Sequence, residues 1–219
     1  MRRISDDERR ARLGRRHRLA PASAAPATPE GVVDVARSLV AFHATDPASV
    51  YLSARARLAG GGSPDDVSRA LYDDRTLVRM LGMRRTMFVV PTTFVPVVQA
   101  GATDAIAERE TRRLLKLLGE VGIPEPERWL ADARAATLAA LEARGEALAV
   151  ELSADVPALR TRSTYAEGKP YGGEVTLTSQ IMNGLGSSGA IVRGRPRGTW
   201  AGSQYRWAPT ASWLGDTLP

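Results

Sequence analysis

The sequence contains no cysteine. That absence removes disulfides, thiol nucleophiles, iron–sulfur clusters and cysteine zinc sites together. Histidine is scarce: His17 and His43 are the only two, too few for a histidine-rich metal centre, so no metal and no cofactor is expected. Lysine is equally rare, at Lys116 and Lys169, and neither lies near His43 in the chain, which argues against Schiff-base chemistry there. No apolar run approaches the ~18 residues of a membrane span. The opening MRRISDDERR lacks the apolar segment of a secretory signal. No membrane partner is expected, and the location read from these absences is cytoplasmic. Gly168-Lys169 is followed by proline, so no Walker A loop is present. Gly184–Gly189 (GLGSSG) formally matches G-x-G-x-x-G, but it closes a predicted helix and precedes a strand, the reverse of a dinucleotide site, and no acid follows at the required spacing.

What is abundant is arginine. The 219 residues carry 30 basic side chains, 28 of them arginine, against 24 acids, for a net charge of +6. With 43% hydrophobic and 25% charged residues the chain is an ordinary globular mixture, long enough to bury a core unaided. A basic soluble domain suggests an anionic partner, nucleic acid by default; a GC-rich genome would produce the same bias without one.

Residues 5–18 predict a short helix with acids at its start and arginines at its end, and 20–28 (APASAAPAT) a low-complexity linker. Three helices follow, each opened by a cap and a first-turn proline: Thr28-Pro29, Asp46-Pro47 and Ser63-Pro64. The first carries an apolar stripe from Val32 to Phe42, and Gly60–Gly62 separate the second from the third. TLVRML and RTMFVV, joined around Gly82–Arg84, read as a β-hairpin. Three helices and a hairpin are the order of a winged helix, spanning 29–91. A helical region from about 93 to 118 connects to a second set: a helix over 127–144, a short helix over 146–156, a third opened by Thr176 or Thr178, and a hairpin over 190–208. The expected fold is mainly α with small β wings (α+β), as tandem winged helix-turn-helix domains. The expected domains are a helix and linker over 1–28, a winged helix over 29–91, a connecting region over 92–126, and a second winged helix over 127–219.

Candidate contacts to nucleic acid concentrate in the hairpins. Arg193, Arg195, Arg197 and Arg206 lie on or beside a turn with Gly194, Pro196 and Gly198, interleaved with Trp200, Tyr205 and Trp207; wings present guanidinium groups to phosphates or a minor groove. Tyr205 and Trp207, at alternate positions, are expected on the inner face. Arg84 and Arg85 occupy the turn of the first hairpin. In the helix before the second wing, Gln180, Asn183 and Ser187 form a polar side opposite Ile181 and Leu185, and amides read base edges. A solvated surface would look the same.

His43-Ala44-Thr45-Asp46 ends the first long helix in this reading. Proline after Asp46 disfavours the α region there. If the chain opens before Asp46, alternate residues share a side, and His43 and Thr45 face one pocket. Asp46 is better explained as the cap of the next helix than as a catalyst.

The opening RRISDDERRARLGRRHRLA, then FHATDPASVYLSARAR, ALYDDRTLVRMLGMRRTMFVVP, AIVRGRPRGTW and SQYRW resemble the N-terminal part of the AlkZ/YcaQ-type bacterial DNA glycosylases. The resemblance implies three winged-helix domains forming a concave DNA-binding surface, of which this chain has room for two, so the third, C-terminal one is expected to be absent. It implies removal of alkylated purines from double-stranded DNA, in DNA repair or genotoxin self-resistance, by a monomeric, nucleoid-associated, monofunctional enzyme. It also implies a catalytic Gln-x-Gln or Gln-x-Asp, to which His43 and Thr45 correspond, a departure at both positions. The alternatives are a non-catalytic winged-helix regulator, which would dimerise on a two-fold site, and a truncated inactive relative.

Overall fold

The computed structural model describes residues 3–165 and 173–215. The chain divides into two compact units. Unit 1 comprises Met1–Met80, Thr86–Val95 and Arg195–Ser203; unit 2 comprises Leu81–Arg85, Pro96–Gly194 and Gln204–Pro219. The Gly168-Lys169-Pro170 step lies outside the described residues. Among those described, no helix is long and apolar enough to cross a membrane.

Unit 1 begins with α1 (Asp6–Arg16), capped by the Ser5 hydroxyl, which accepts from Glu8 N. The stretch 20–28 is no loose linker. Ala25 is fully buried; its N–H donates to Arg57 O at 2.9 Å, and its carbonyl accepts from Ala59 N at 2.8 Å. Then α2 (Pro29–Leu39) starts on Thr28, whose hydroxyl accepts from Gly31 N. Gly31 is obligatory there, because a Cβ would lie 1.9 Å from Pro26 O.

Helix α2 ends at Leu39, earlier than its apolar stripe predicts, because Val40 adopts φ +72°, a strained value for a β-branched residue. The chain is extended from there: β1 (Phe42–His43) pairs antiparallel with β3 (Phe42 opposite Val89, His43 opposite Phe88). So His43–Asp46 is not a helix end but a strand and its exit.

Next comes α3 (Pro47–Arg55). The Gly60–Gly62 loop, all at positive φ, leads to α4 (Pro64–Ser68), which has a full capping box between Ser63 and Asp66. A π-helical turn, Arg69–Asp73, continues α4 into β2 (Leu77–Leu81), and β3 (Met87–Pro91) returns. The sheet order is β1-β3-β2. Val32, Val35, Ala36, Val50 and Leu71 from the helical segments and Phe42, Leu77 and Val89 from the strands are buried.

Unit 2 contains α5 (Val95–Val98, from Pro96 on), α6 (Asp104–Glu120) and α7 (Pro126–Arg144), the last ended by Gly145 at φ +73°. The segment 146–156 is not helical throughout. It opens as β4 (Ala147–Leu148), which pairs with β8 (Ala147 opposite Trp207), before α8 (Ala149–Asp155). An unforeseen pair, β5 (Arg162–Tyr165) and β6 (Gly173–Thr176), precedes α9 (Thr178–Ser187). Neither Thr176 nor Thr178 caps α9: Leu177 holds the cap position, and the Thr178 hydroxyl donates to Leu159 O at 2.8 Å. The hairpin β7 (Ile191–Pro196) and β8 (Tyr205–Pro209) follows, then α10 (Thr210–Leu214). The second sheet runs β4-β8-β7.

Leu118, Leu141, Leu152, Leu159, Leu177, Ile181, Met182, Ile191 and Trp207 form the core of unit 2. Both halves of the chain thus run helix, two-residue strand, helix, helix, hairpin, the second with the β5–β6 pair inserted between its last two helices, and in each the short strand pairs with the hairpin's second strand.

Candidate functional site

In unit 1 the extended backbone after Val40 decides where His43 points. Both His43 and Thr45 are exposed while Ala44 between them is 3% exposed, the alternation an extended segment imposes. Thr45 Oγ1 and His43 Nε2 lie 3.4 Å apart. With that nitrogen unprotonated, the threonine hydroxyl donates to it. The imidazole stands edge-on to Phe88, with centroids 5.6 Å apart at 88°. Ala44 N donates to Met87 O at 2.8 Å, and the Ser49 hydroxyl donates to the carbonyls of His43 and Asp46. Asp46 caps α3 by accepting from Ala48 N.

Beneath this segment lies Arg79, 3% exposed, whose Nη1 donates to Ala44 O at 3.4 Å. It belongs to a buried polar cluster. Tyr51 Oη lies 3.3 Å from Ser68 Oγ, and burial, with Tyr72 as the second cause, pushes the Tyr51 hydroxyl up to about 12, against the opposing pull of Ser68 and the Arg79 charge. Sequence reasoning missed Arg79; its one signal is a lone arginine inside the apolar run TLVRML. The Trp200 ring packs on Tyr51, with centroids 4.7 Å apart. The two line a cavity of about 250 Å³ with Leu52, Arg55, Leu58 and Val67.

The expected DNA-contacting residues fall into two groups. Arg197 and Arg84 are exposed and form no ion pair among the described residues. Arg84 and Arg85 sit at φ +58° and +59°, consecutive left-handed residues in a region that glycine and asparagine enter more readily. The others are engaged. Arg85 pairs with Glu110 at 2.8 Å. Arg195 pairs with Asp73 at 2.7 Å and lies over the Tyr72 ring. Arg206 is flanked by Glu146 and Glu151. Arg193 donates to Asn183 Oδ1 at 3.2 Å and covers Tyr205 and Trp207, which are buried as the inner face of the hairpin.

On α9, Asn183 is exposed and Gln180 half-buried, but Ser187 is 1% exposed and donates to Gly184 O, so it is not part of a polar face. Gly194 belongs to strand β7, not to the turn: a Cβ there would meet the Trp213 ring at 3.1 Å. Gly198, at φ +85°, makes the turn. Among the described residues no three His, Asp or Glu side chains gather as a metal site.

The family model described as DNA glycosylase AlkZ-like matches residues 36–219. Among solved structures, the DNA glycosylase AlkZ of Streptomyces sahachiroi is similar in fold, with a TM-score of 0.60 at 17% identity, over 94% of this chain and 49% of that one. The chain therefore spans about half the length of that relative. No curated protein matches it. With the greater part of its length covered by the family model, the chain belongs to the AlkZ-like DNA glycosylase family.

Proposed function

We propose that this chain hydrolyses the N-glycosidic bond of alkylated purines in double-stranded DNA, with His43 as general base and Thr45 orienting the water. The observation that carries this reading is the exposed His43–Thr45 pair, two side chains on one side of an extended segment, 3.4 Å apart, set in a member of a DNA glycosylase family.

An N7-alkylguanine is already cationic, so it leaves without acid catalysis. As the C1′–N9 bond breaks, its electron pair passes to the purine and neutralises it. Positive charge develops on the sugar, as in the analogous O-glycoside reaction. Water adds to C1′ and its proton passes to the His43 imidazole. The Thr45 hydroxyl accepts or donates a hydrogen bond to that water. The products are the free base and an abasic site. On this reading the enzyme is monofunctional, needs no cofactor, and works as a monomer on the bacterial chromosome in the cytoplasm.

The scaffold we assign is a pair of winged helices, over 29–91 and 127–219, joined through 92–126. The repeated order of helix, short strand, helix, helix, hairpin, interrupted in the second half only by the β5–β6 pair, supports it. Arg197 and Arg84 are the first candidates for phosphate contact. Arg85, Arg193, Arg195 and Arg206 reach phosphate by exchanging a partner they already hold, and Asn183 and Gln180 approach base edges from α9.

A second reading, a DNA-binding protein without catalysis, is favoured by His43 and Thr45, which stand where the resemblance implies glutamine and then glutamine or aspartate. Base release from a duplex carrying one N7-alkylguanine, scored by cleavage at the abasic site, separates the two. Release that His43→Ala abolishes supports catalysis. Duplex binding without release, across small and bulky adducts, supports the second reading.

A further inference from the structure

Helix α1 is built to stay helical and joins no core. None of its residues is buried. An isolated helix of this length is marginal in water, yet α1 has a Ser5 cap, three acids in its first turn and two arginines in its last. Its base is fixed: Arg57 Nε donates to His17 O at 3.0 Å, and Arg57 Nη1 to Ser53 O at 2.8 Å. The match to the family model covers residues 36–219 and does not include α1.

The charge on this segment is concentrated. Residues 3–18 hold seven arginines against three acids, four of the six net positive charges of the whole chain. Two of the acids are taken up locally, Asp7 by Arg10 at 3.2 Å and Glu8 by Arg12 at 2.7 Å. Arg9, Arg15 and Arg16 form no ion pair among the described residues. At about 100° per residue, Arg9, Arg12 and Arg16 fall within one narrow stripe about 10 Å long. One DNA strand presents a phosphate about every 3.4 Å of axis, so the stripe faces about three. The only apolar residues inside α1, Ala11 and Leu13, lie on opposite sides of it. Without a continuous apolar face, α1 lacks what a membrane-surface helix requires.

We propose that α1 is a docking arm for the phosphate backbone of duplex DNA, with Arg9, Arg12 and Arg16 as its contacts. It acts apart from the hairpin arginines and is indifferent to sequence and to the lesion. The inference rests on the reading that this protein binds DNA.

The test is the salt dependence of binding of the full chain to an unmodified duplex, followed by fluorescence anisotropy. The double variant Arg9→Gln, Arg16→Gln keeps helix propensity and removes two charges. The slope of log K against log salt should fall in magnitude by about 0.9 per contact, nearly two for the pair. Arg197→Gln serves as the comparison. An unchanged slope and affinity in the double variant, with binding weakened in Arg197→Gln, overturns the arm while the DNA reading stands. Failure of the unaltered protein to bind the duplex at any salt overturns both. Capture by phosphatidylserine vesicles that is lost in the double variant, with duplex binding intact, overturns the arm in favour of a membrane surface.

Discussion

Arg195 Nη2 lies 2.7 Å from Asp73 Oδ1, joining residues 122 positions apart in the chain. Both side chains are about half exposed, so the pair contributes at most about 1 kcal/mol. Stacking of the guanidinium over Tyr72 adds a similar amount. Asp73→Asn should therefore barely change the denaturation midpoint. It frees a guanidinium, so affinity for duplex DNA should rise several-fold at low salt. Adding Arg195→Gln should cancel the gain; if the gain persists, Arg195 has no part in binding.

His43→Ala should lower base release from an N7-alkylguanine duplex by about 10²-fold or more, the usual contribution of a general base. Thr45→Val should cost less, because it misorients the water without removing the proton acceptor. Release that His43→Ala leaves unchanged removes His43 from the role.

The Arg84-Arg85 turn holds two non-glycine residues in the left-handed region, each costing on the order of 1 kcal/mol or more. Asparagine and glycine adopt that region at lower cost, so replacing the pair with Asn-Gly should raise stability by about 1 kcal/mol, net of the lost Arg85–Glu110 pair. Duplex affinity should fall in the same variant. A variant that is both more stable and equally tight-binding would show that the arginines are not there for DNA.

Burial raises Tyr51 from 10.0 to about 12. The folded state holds that proton more tightly than the unfolded state. Its contribution is therefore complete below pH 10 and is lost as pH climbs from 10 towards 12. Urea titrations across this interval should show stability falling with pH, and the fall should be shallower in Tyr51→Phe.

Gly31→Ala should unseat residues 20–28, because the new methyl group meets Pro26 O at 1.9 Å. A cost of about 2 kcal/mol or more is expected for so close a clash. Cleavage by protease should appear between 20 and 28 before the rest of the chain is touched.

What the sequence revealed was local. Thr28, Asp46 and Ser63 each cap a helix whose first residue is proline, a signal complete within four residues. The shared side of His43 and Thr45 was only conditional in the sequence: Pro47 restricts Asp46 alone, whereas the extension starts at Val40 and is held by pairing of Phe42 and His43 with β3. Strands β1 and β4 were invisible: two residues each, they exist only through pairing with Val89 and Phe88, and with Trp207 and Arg206. Ser187 looked polar and exposed by helical spacing, but it is buried at the end of α9 with its hydroxyl satisfied by Gly184 O. Arg79 was hidden for the opposite reason: strand alternation alone could not show that a charged side chain lies 3% exposed under the Ala44 carbonyl.

The assignment of Arg195–Ser203 to unit 1 bears on how such a gene can be handled. A cut at any single point between residues 96 and 194 leaves no fragment with all of unit 1, because the segment carrying Trp200 and the Asp73 partner travels with the other piece. Halves expressed separately should each be incomplete, and co-expression should be needed to recover a folded unit 1. Exchange of either half between relatives by simple end-to-end fusion should then fail unless residues 195–203 come from the same parent as α3 and α4.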